Sequence, residues 1–262
     1  MSDNDVVHYE VKKRYAEITI DRPPVHALNL PAMMEIYNSL IKADNDPKVR
    51  CILIKSTGTR LFSAGIDMKQ NLADFGPGSG RQFMEVIRNI SEKMLTMKKI
   101  IVTQVQGSAI GYGMILFMAA DLRIFADRPF PEMFFKMPEV EEGMLTRAGS
   151  SVVPTLTFGL DYAKSIMFTS DRLSLQDLPT RYATRVFPLE TLESETQKFM
   201  EKIAKQKNST MWVLKNKMNI YNKKYISRCF DLEDECSTTL EGKVFDMEEW
   251  DKKFEDLYKR YP

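Results

Sequence analysis

The sequence predicts an α/β fold, a largely parallel sheet covered by helices, on three observations. Two largely apolar runs, Cys51-Ile-Leu-Ile54 and Ile100-Ile-Val-Thr-Gln-Val105, read as strands buried on both faces. Each leads to a turn of small residues, Phe62-Ser-Ala-Gly-Ile-Asp-Met-Lys69 and Gln106-Gly-Ser-Ala-Ile-Gly-Tyr-Gly-Met114. The second turn opens directly into an apolar helix, so a strand–turn–helix unit recurs, and alternating strands and helices imply a parallel sheet.

The elements follow in order. Residues 8–12 and 15–20 alternate apolar and polar side chains and read as a hairpin leading to Arg22-Pro-Pro24. Met33, Ile36, Tyr37 and Leu40 recur at helical spacing within 32–43, with Pro31 suited to the first turn. Residues 50–55 form a buried strand, and 74–80, with three glycines and a proline, form a loop. Phe83, Val86, Ile87, Ile90 and Met94 make an apolar stripe along a helix over 81–97. Strand 100–105, helix 111–120 and strand 121–125 come next, then a proline-containing connection over 127–134. From Leu189 the chain reads as charged helices: 190–205, 211–225, a segment through 231–240, and 247–258. The domain reading is a core over 1–190 and a helical region over 191–262, with no linker sharp enough to make the second independent.

Bulk properties narrow the function. At 262 residues the chain has the length of one large domain with an extension. A net charge of +1 argues against general nucleic-acid binding, which calls for a concentrated basic face. The three cysteines, Cys51, Cys229 and Cys236, form no Cys-x-x-Cys pair and read as reduced thiols. His8 and His26 lack partners at ligand spacing, so no metal site is expected. No apolar run approaches the roughly 18–20 residues that cross a bilayer. The acidic start Met-Ser-Asp-Asn-Asp-Val-Val resembles neither a secretory signal nor a mitochondrial presequence, and Arg-Tyr-Pro is no peroxisomal tripeptide. The expected location is cytoplasmic.

The two turns carry the chemistry. Gly65, Gly107, Gly111 and Gly113 let backbone approach a ligand, and a strand–helix junction leaves N–H groups unpaired. Two such turns meeting in space would give two N–H donors to one oxygen. The bland alternative is that both are merely tight connections.

These residues resemble the signature turns of the crotonase (enoyl-CoA hydratase/isomerase) superfamily. Met137-Pro-Glu-Val-Glu-Glu-Gly143 is similar to its third signature, and Val186-Phe-Pro-Leu-Glu-Thr-Leu192 to its exit into C-terminal helices. The likeness runs from about Tyr9 to the C-terminus, and it implies a crotonase-like spiral of β-β-α units with a helical C-terminal region. It places oxyanion-hole amides on Ile66 and Tyr112, the latter where the family usually has glycine. It implies a coenzyme A groove along Ala64, Gly65, Ile66, Asp67, Met68 and Lys69, with Gly111 and Tyr112 beside it. Asp67 is expected to brace its own turn, and Lys69 to reach a phosphate or simply stand at the surface. His26 falls where the family contacts the pantetheine arm, and is read as structural.

Family hydratases use two glutamates. Here the first position holds Ile115 and the second Glu139, while Arg147 occupies a later position where some isomerases carry an acid. Glu141 and Glu142 read as a solvated acidic turn or, for Glu142, a substitute acid. One retained carboxylate matches the pattern of Δ3,Δ2-enoyl-CoA isomerases. The expected substrate is therefore an acyl-CoA thioester, with no cofactor beyond its coenzyme A and neither nucleic acid nor membrane as partner. The family precedent is a homotrimer or homohexamer formed through the C-terminal helices. A hydratase, a thioester or C–C hydrolase of the same superfamily, and a catalytically silent acyl-CoA-binding scaffold remain open at this point. The orientation of Glu139 discriminates, since a base must face the two turns.

Overall fold

The computed structural model describes residues 6–70, 80–143, 149–219 and 223–244. Strand β1 (Val7–Lys12) turns back through Lys13, whose φ is 52°, into antiparallel β2 (Tyr15–Ile20). Helix α1 (Leu30–Asn45) begins where the Asn29 side chain accepts the Ala32 N–H at 3.1 Å, and it buries Met33, Ile36, Leu40 and Ala43. Strand β3 (Cys51–Ser56) is buried over Cys51, Ile52, Leu53 and Ile54, as a strand covered on both faces must be. Strand β4 (Leu61–Ser63), helix α2 (Gly80–Thr96), β5 (Ile100–Val105), β6 (Ser108–Ile110) and the wholly buried helix α3 (Tyr112–Met118) follow. Next come β7 (Leu122–Asp127), β8 (Phe135–Lys136), α4 (Val152–Phe158), α5 (Leu160–Thr169) and β9 (Arg185–Pro188). The chain then runs through α6 (Leu189–Lys205), α7 (Asn208–Asn219) and α8 (Lys223–Val244).

Two sheets result. The larger has the order β1-β2-β3-β5-β7-β9, parallel throughout except for the first hairpin. The smaller, β4-β6-β8, is parallel throughout. Phe117 of α3, Phe125 of β7 and Phe135 of β8 meet edge-to-face with ring centroids 5.2–5.5 Å apart, packing the two sheets together.

The sequence reading located every strand of the larger sheet except β9 and none of the smaller one. It placed helix 111–120 too long, because α3 spans Tyr112–Met118 with Gly111 as its cap. Helix 211–225 is found at Asn208–Asn219, and 231–240 lies inside the longer α8. The loop 74–80 reaches only Gly80 of the described residues, and helix 247–258 lies outside them.

The last two helices are latched to the core by buried charge. Lys215 on α7 donates to the Lys99 carbonyl at 2.9 Å and to Asp121 Oδ2 at 2.7 Å. On α8, Glu233 accepts from the N–H of Gly149 at 2.6 Å and of Ser151 at 2.8 Å, satisfying donors at the start of α4. Arg88 on α2 pairs with Asp231 at 2.5 Å and Asp234 at 2.7 Å. Helix α8 therefore folds back over α2 and α4 of its own chain.

Candidate active site

The three strands of the small sheet end together. Ser63 lies opposite Ala109, and Ile110 opposite Lys136. Their carboxyl ends deliver the turn at Gly65-Ile66, the turn at Gly111-Tyr112 and the segment Pro138-Glu139 to one edge. Ligands of parallel sheets bind at such strand ends.

The first turn is stitched to the segment before α1. Ala64 N–H donates to the Val25 carbonyl at 2.9 Å, Leu28 N–H to the Gly65 carbonyl at 2.7 Å, and Asp67 N–H to the Leu28 carbonyl at 2.9 Å. Ser63 Oγ donates to the His26 carbonyl at 2.7 Å and accepts the Gly65 N–H at 3.1 Å. Asp67 braces the turn as expected: Oδ1 accepts the Gln70 N–H at 3.0 Å, and Oδ2 pairs with Arg22 at 2.7 Å. His26 is buried, with Nδ1 accepting the Arg22 N–H at 3.1 Å; burial holds its pKa below the usual value. This is the structural histidine of the sequence reading. Met68 follows the turn, its N–H donating to the Ile66 carbonyl at 3.1 Å, and Lys69 has an interaction of its own.

The two turns touch. Gly65 has φ +86°, and a β-carbon there would stand 2.6 Å from the Ile110 carbonyl oxygen and 3.2 Å from the Tyr112 nitrogen. The amide of Ile66 is the next one along the chain. Among the described residues, neither the Ile66 nor the Tyr112 N–H has a hydrogen-bond acceptor.

The Tyr112 ring does not enter the space between the turns. It is buried against α2, its hydroxyl donating to the Ile87 carbonyl at 3.0 Å and lying 3.0 Å from Ser91 Oγ. Nothing local announces this contact, since Ser91 lies 21 positions upstream of Tyr112.

Glu139 faces the second turn. Its side chain is nearly buried, at 7% exposure, and a β-carbon on Gly111 would stand 3.7 Å from its Oε1. Oε2 has no hydrogen-bond partner among the described residues. Burial lifts the carboxyl from 4.5 to about 7, against a smaller opposing pull from its own backbone N–H. A carboxyl poised near neutrality with a free oxygen can both accept and return a proton. Ile115, one turn along α3 from Tyr112, is fully buried and brings no acid. Glu141 is ion-paired to Lys136, and Glu142 has an interaction of its own, so neither is an idle surface acid. Arg147 lies outside the described residues.

The model of the enoyl-CoA hydratase/isomerase family matches residues 10–244. The chain belongs to this family. The enoyl-CoA hydratase/isomerase from Pseudoalteromonas atlantica T6c superposes with a TM-score of 0.80 at 22% identity, covering 98% of each chain. An enoyl-CoA hydratase from Bacillus anthracis gives 0.74 at 20% identity over 97% of this chain and 90% of that one. At such identities the likeness speaks for the fold, and it is the crotonase-like one expected. Carnitinyl-CoA dehydratase of Escherichia coli K12 is 31% identical over 139 residues, 51% of this chain and 49% of the relative. The chain thus spans about half the length of the curated relatives it matches.

Proposed function

We propose that this chain acts on acyl-CoA thioesters and that its reaction is Δ3,Δ2-enoyl-CoA isomerisation. The observation that carries the proposal is Glu139, among the described residues the one buried carboxyl set against the second turn, held near pKa 7, with apolar Ile115 at the position of the family's other acid. In the proposed reaction the thioester carbonyl sits between the amides of Ile66 and Tyr112. Glu139 takes a proton from C2 of a 3-enoyl-CoA, and the negative charge spreads to the carbonyl oxygen, where the two N–H dipoles stabilise it. The same carboxyl returns the proton to C4, leaving the double bond between C2 and C3. Each donor is worth on the order of 3 kcal/mol to such an intermediate. The stretch Ala64, Gly65, Ile66, Asp67, Met68 and Lys69 is the proposed coenzyme A groove. No cofactor beyond the coenzyme A of the substrate is invoked.

Hydration is the second reading, favoured by the names of relatives such as the E. coli dehydratase. Ile115 weighs against it, because adding water calls for one group to activate water and help at the α-carbon. Incubation with 3-enoyl-CoA and with 2-enoyl-CoA, following double-bond position and hydroxyacyl product, separates the two. We expect isomerisation with little or no hydroxyacyl-CoA; the reverse outcome makes the protein a hydratase. Binding without any turnover over a range of acyl lengths would make it a silent scaffold.

We further propose assembly into a homotrimer or homohexamer. Trp212, Val213, Leu214 and Met218 on α7 and Leu232 on α8 are exposed in the single chain, and burying each large apolar side chain contributes roughly 1.5–3 kcal/mol. Leu240, Phe245, Trp250, Phe254 and Leu257 add further apolar residues to the C-terminal sequence, and their side chains lie outside the described ones. Light scattering at micromolar concentration is expected to give a trimer or hexamer mass, and a monomer mass would refute the assembly.

A further inference from the structure

We propose that the Tyr112 side chain is a positioning residue, its phenol anchored on α2 so that its own backbone N–H stays aimed at the substrate oxygen. The inference rests on the oxyanion-hole reading above. It begins from a weakness in the second turn. An amide N–H has no rotamer; its direction is set by the backbone on either side. Gly111 has φ 50° and ψ −122°, a region only glycine visits readily, and α3 starts with no side-chain cap. The seven-residue helix behind it is short to hold a donor in place by itself.

The tyrosine supplies what the backbone lacks. Its ring is buried, and its hydroxyl reaches the Ile87 carbonyl and the Ser91 hydroxyl, both at 3.0 Å, one helical turn apart on α2. Two contacts at the far end of a rigid ring fix the Cα–Cβ direction of the residue whose amide matters. Helix α2 is itself held from behind, because Arg88, next to Ile87, is ion-paired to Asp231 and Asp234 on α8. On the other side, a β-carbon at Gly113 would overlap the Ser63 carbonyl, so the following residue is pressed against the first turn. The Tyr112 amide is thereby fixed between α2 and β4. Holding a functional donor within about 0.5 Å requires this kind of supporting contact.

The test is Tyr112→Phe, which removes one oxygen and leaves the ring. With the isomerisation substrate, we expect kcat to fall about tenfold, less than the 10²–10³ for deleting a donor, with KM little changed. The decisive readout is spectroscopic. 4-Dimethylaminocinnamoyl-CoA, a chromophoric thioester, absorbs further to the red when its carbonyl is polarised by hydrogen bonds. The wild type should shift the band on binding and Tyr112→Phe should shift it less, while Glu139→Gln keeps the full shift. An equal shift in Tyr112→Phe and wild type overturns the anchoring role and leaves the oxyanion hole standing. No shift in the wild type overturns both. Should Tyr112→Phe fail to fold, Ser91→Ala decides: it removes one of the two contacts and must reduce the shift, and an unchanged band overturns the proposal.

Discussion

Glu139→Gln is expected to lose turnover by about 10²–10⁴-fold, the usual worth of a positioned acid–base group, while still binding CoA thioesters. The same change should make the protein more stable at alkaline pH. Burial raises the carboxyl from 4.5 to about 7, so the folded chain holds this proton more tightly than the unfolded chain does. The sign follows: the group is not destabilising below about pH 4.5, where both states are protonated. Its cost grows as pH rises and is complete above about pH 7. At roughly 1.4 kcal/mol per unit, the full cost is about 3 kcal/mol. Glutamine carries no charge to bury, so its melting temperature should exceed the wild-type value by several degrees at pH 8 and converge with it near pH 4. Wild-type kcat/KM should rise with pH and level off above about 7, as the carboxylate form accumulates. Undiminished activity in Glu139→Gln would move the chemistry to another group, Glu142 first. Equal stability of the two proteins at pH 8 would show that the carboxylate is not desolvated in solution.

A trade of stability for activity of this kind is what a functional site would show, and much of the candidate site is legible in the sequence. The glycine turns and the Pro-Glu pair stand out because their backbone and charge requirements are local. The strands of the large sheet are legible for the same reason: six consecutive residues of β3 or β5 carry enough apolar pattern to be read. The small sheet was not. Its strands hold three, three and two residues, too few for any period to show, yet they bring Ile66, Tyr112 and Glu139 to one edge. Helices α4 and α5 were hidden by Pro154 in the first and by Gly159, with φ 82°, between them, which look like breaks. Long-range partners leave no local trace. Glu233 satisfies Gly149 from 84 positions away, and the direction of the Tyr112 ring depends on where α2 packs.

The second large effect expected is at Gly65. A β-carbon there meets the Ile110 carbonyl oxygen at 2.6 Å and the Tyr112 nitrogen at 3.2 Å, and both are backbone atoms with no rotamer to yield. Positive φ of +86° adds strain of about 1–2 kcal/mol for any residue with a side chain. Gly65→Ala can therefore fold only by driving the two turns apart. We expect a stability loss of at least about 2 kcal/mol and a fall in kcat approaching the 10²–10³ of a lost oxyanion donor, because the separated amides no longer share one oxygen. Gly58→Ala separates the two causes. Gly58 also has positive φ, +67°, but nothing lies within 4 Å of the β-carbon it would gain. It should cost about 1 kcal/mol and leave kcat unchanged. Denaturant melts paired with turnover measurements check both variants. A Gly65→Ala protein that keeps wild-type kcat would mean that the contact between the turns does not set the catalytic geometry.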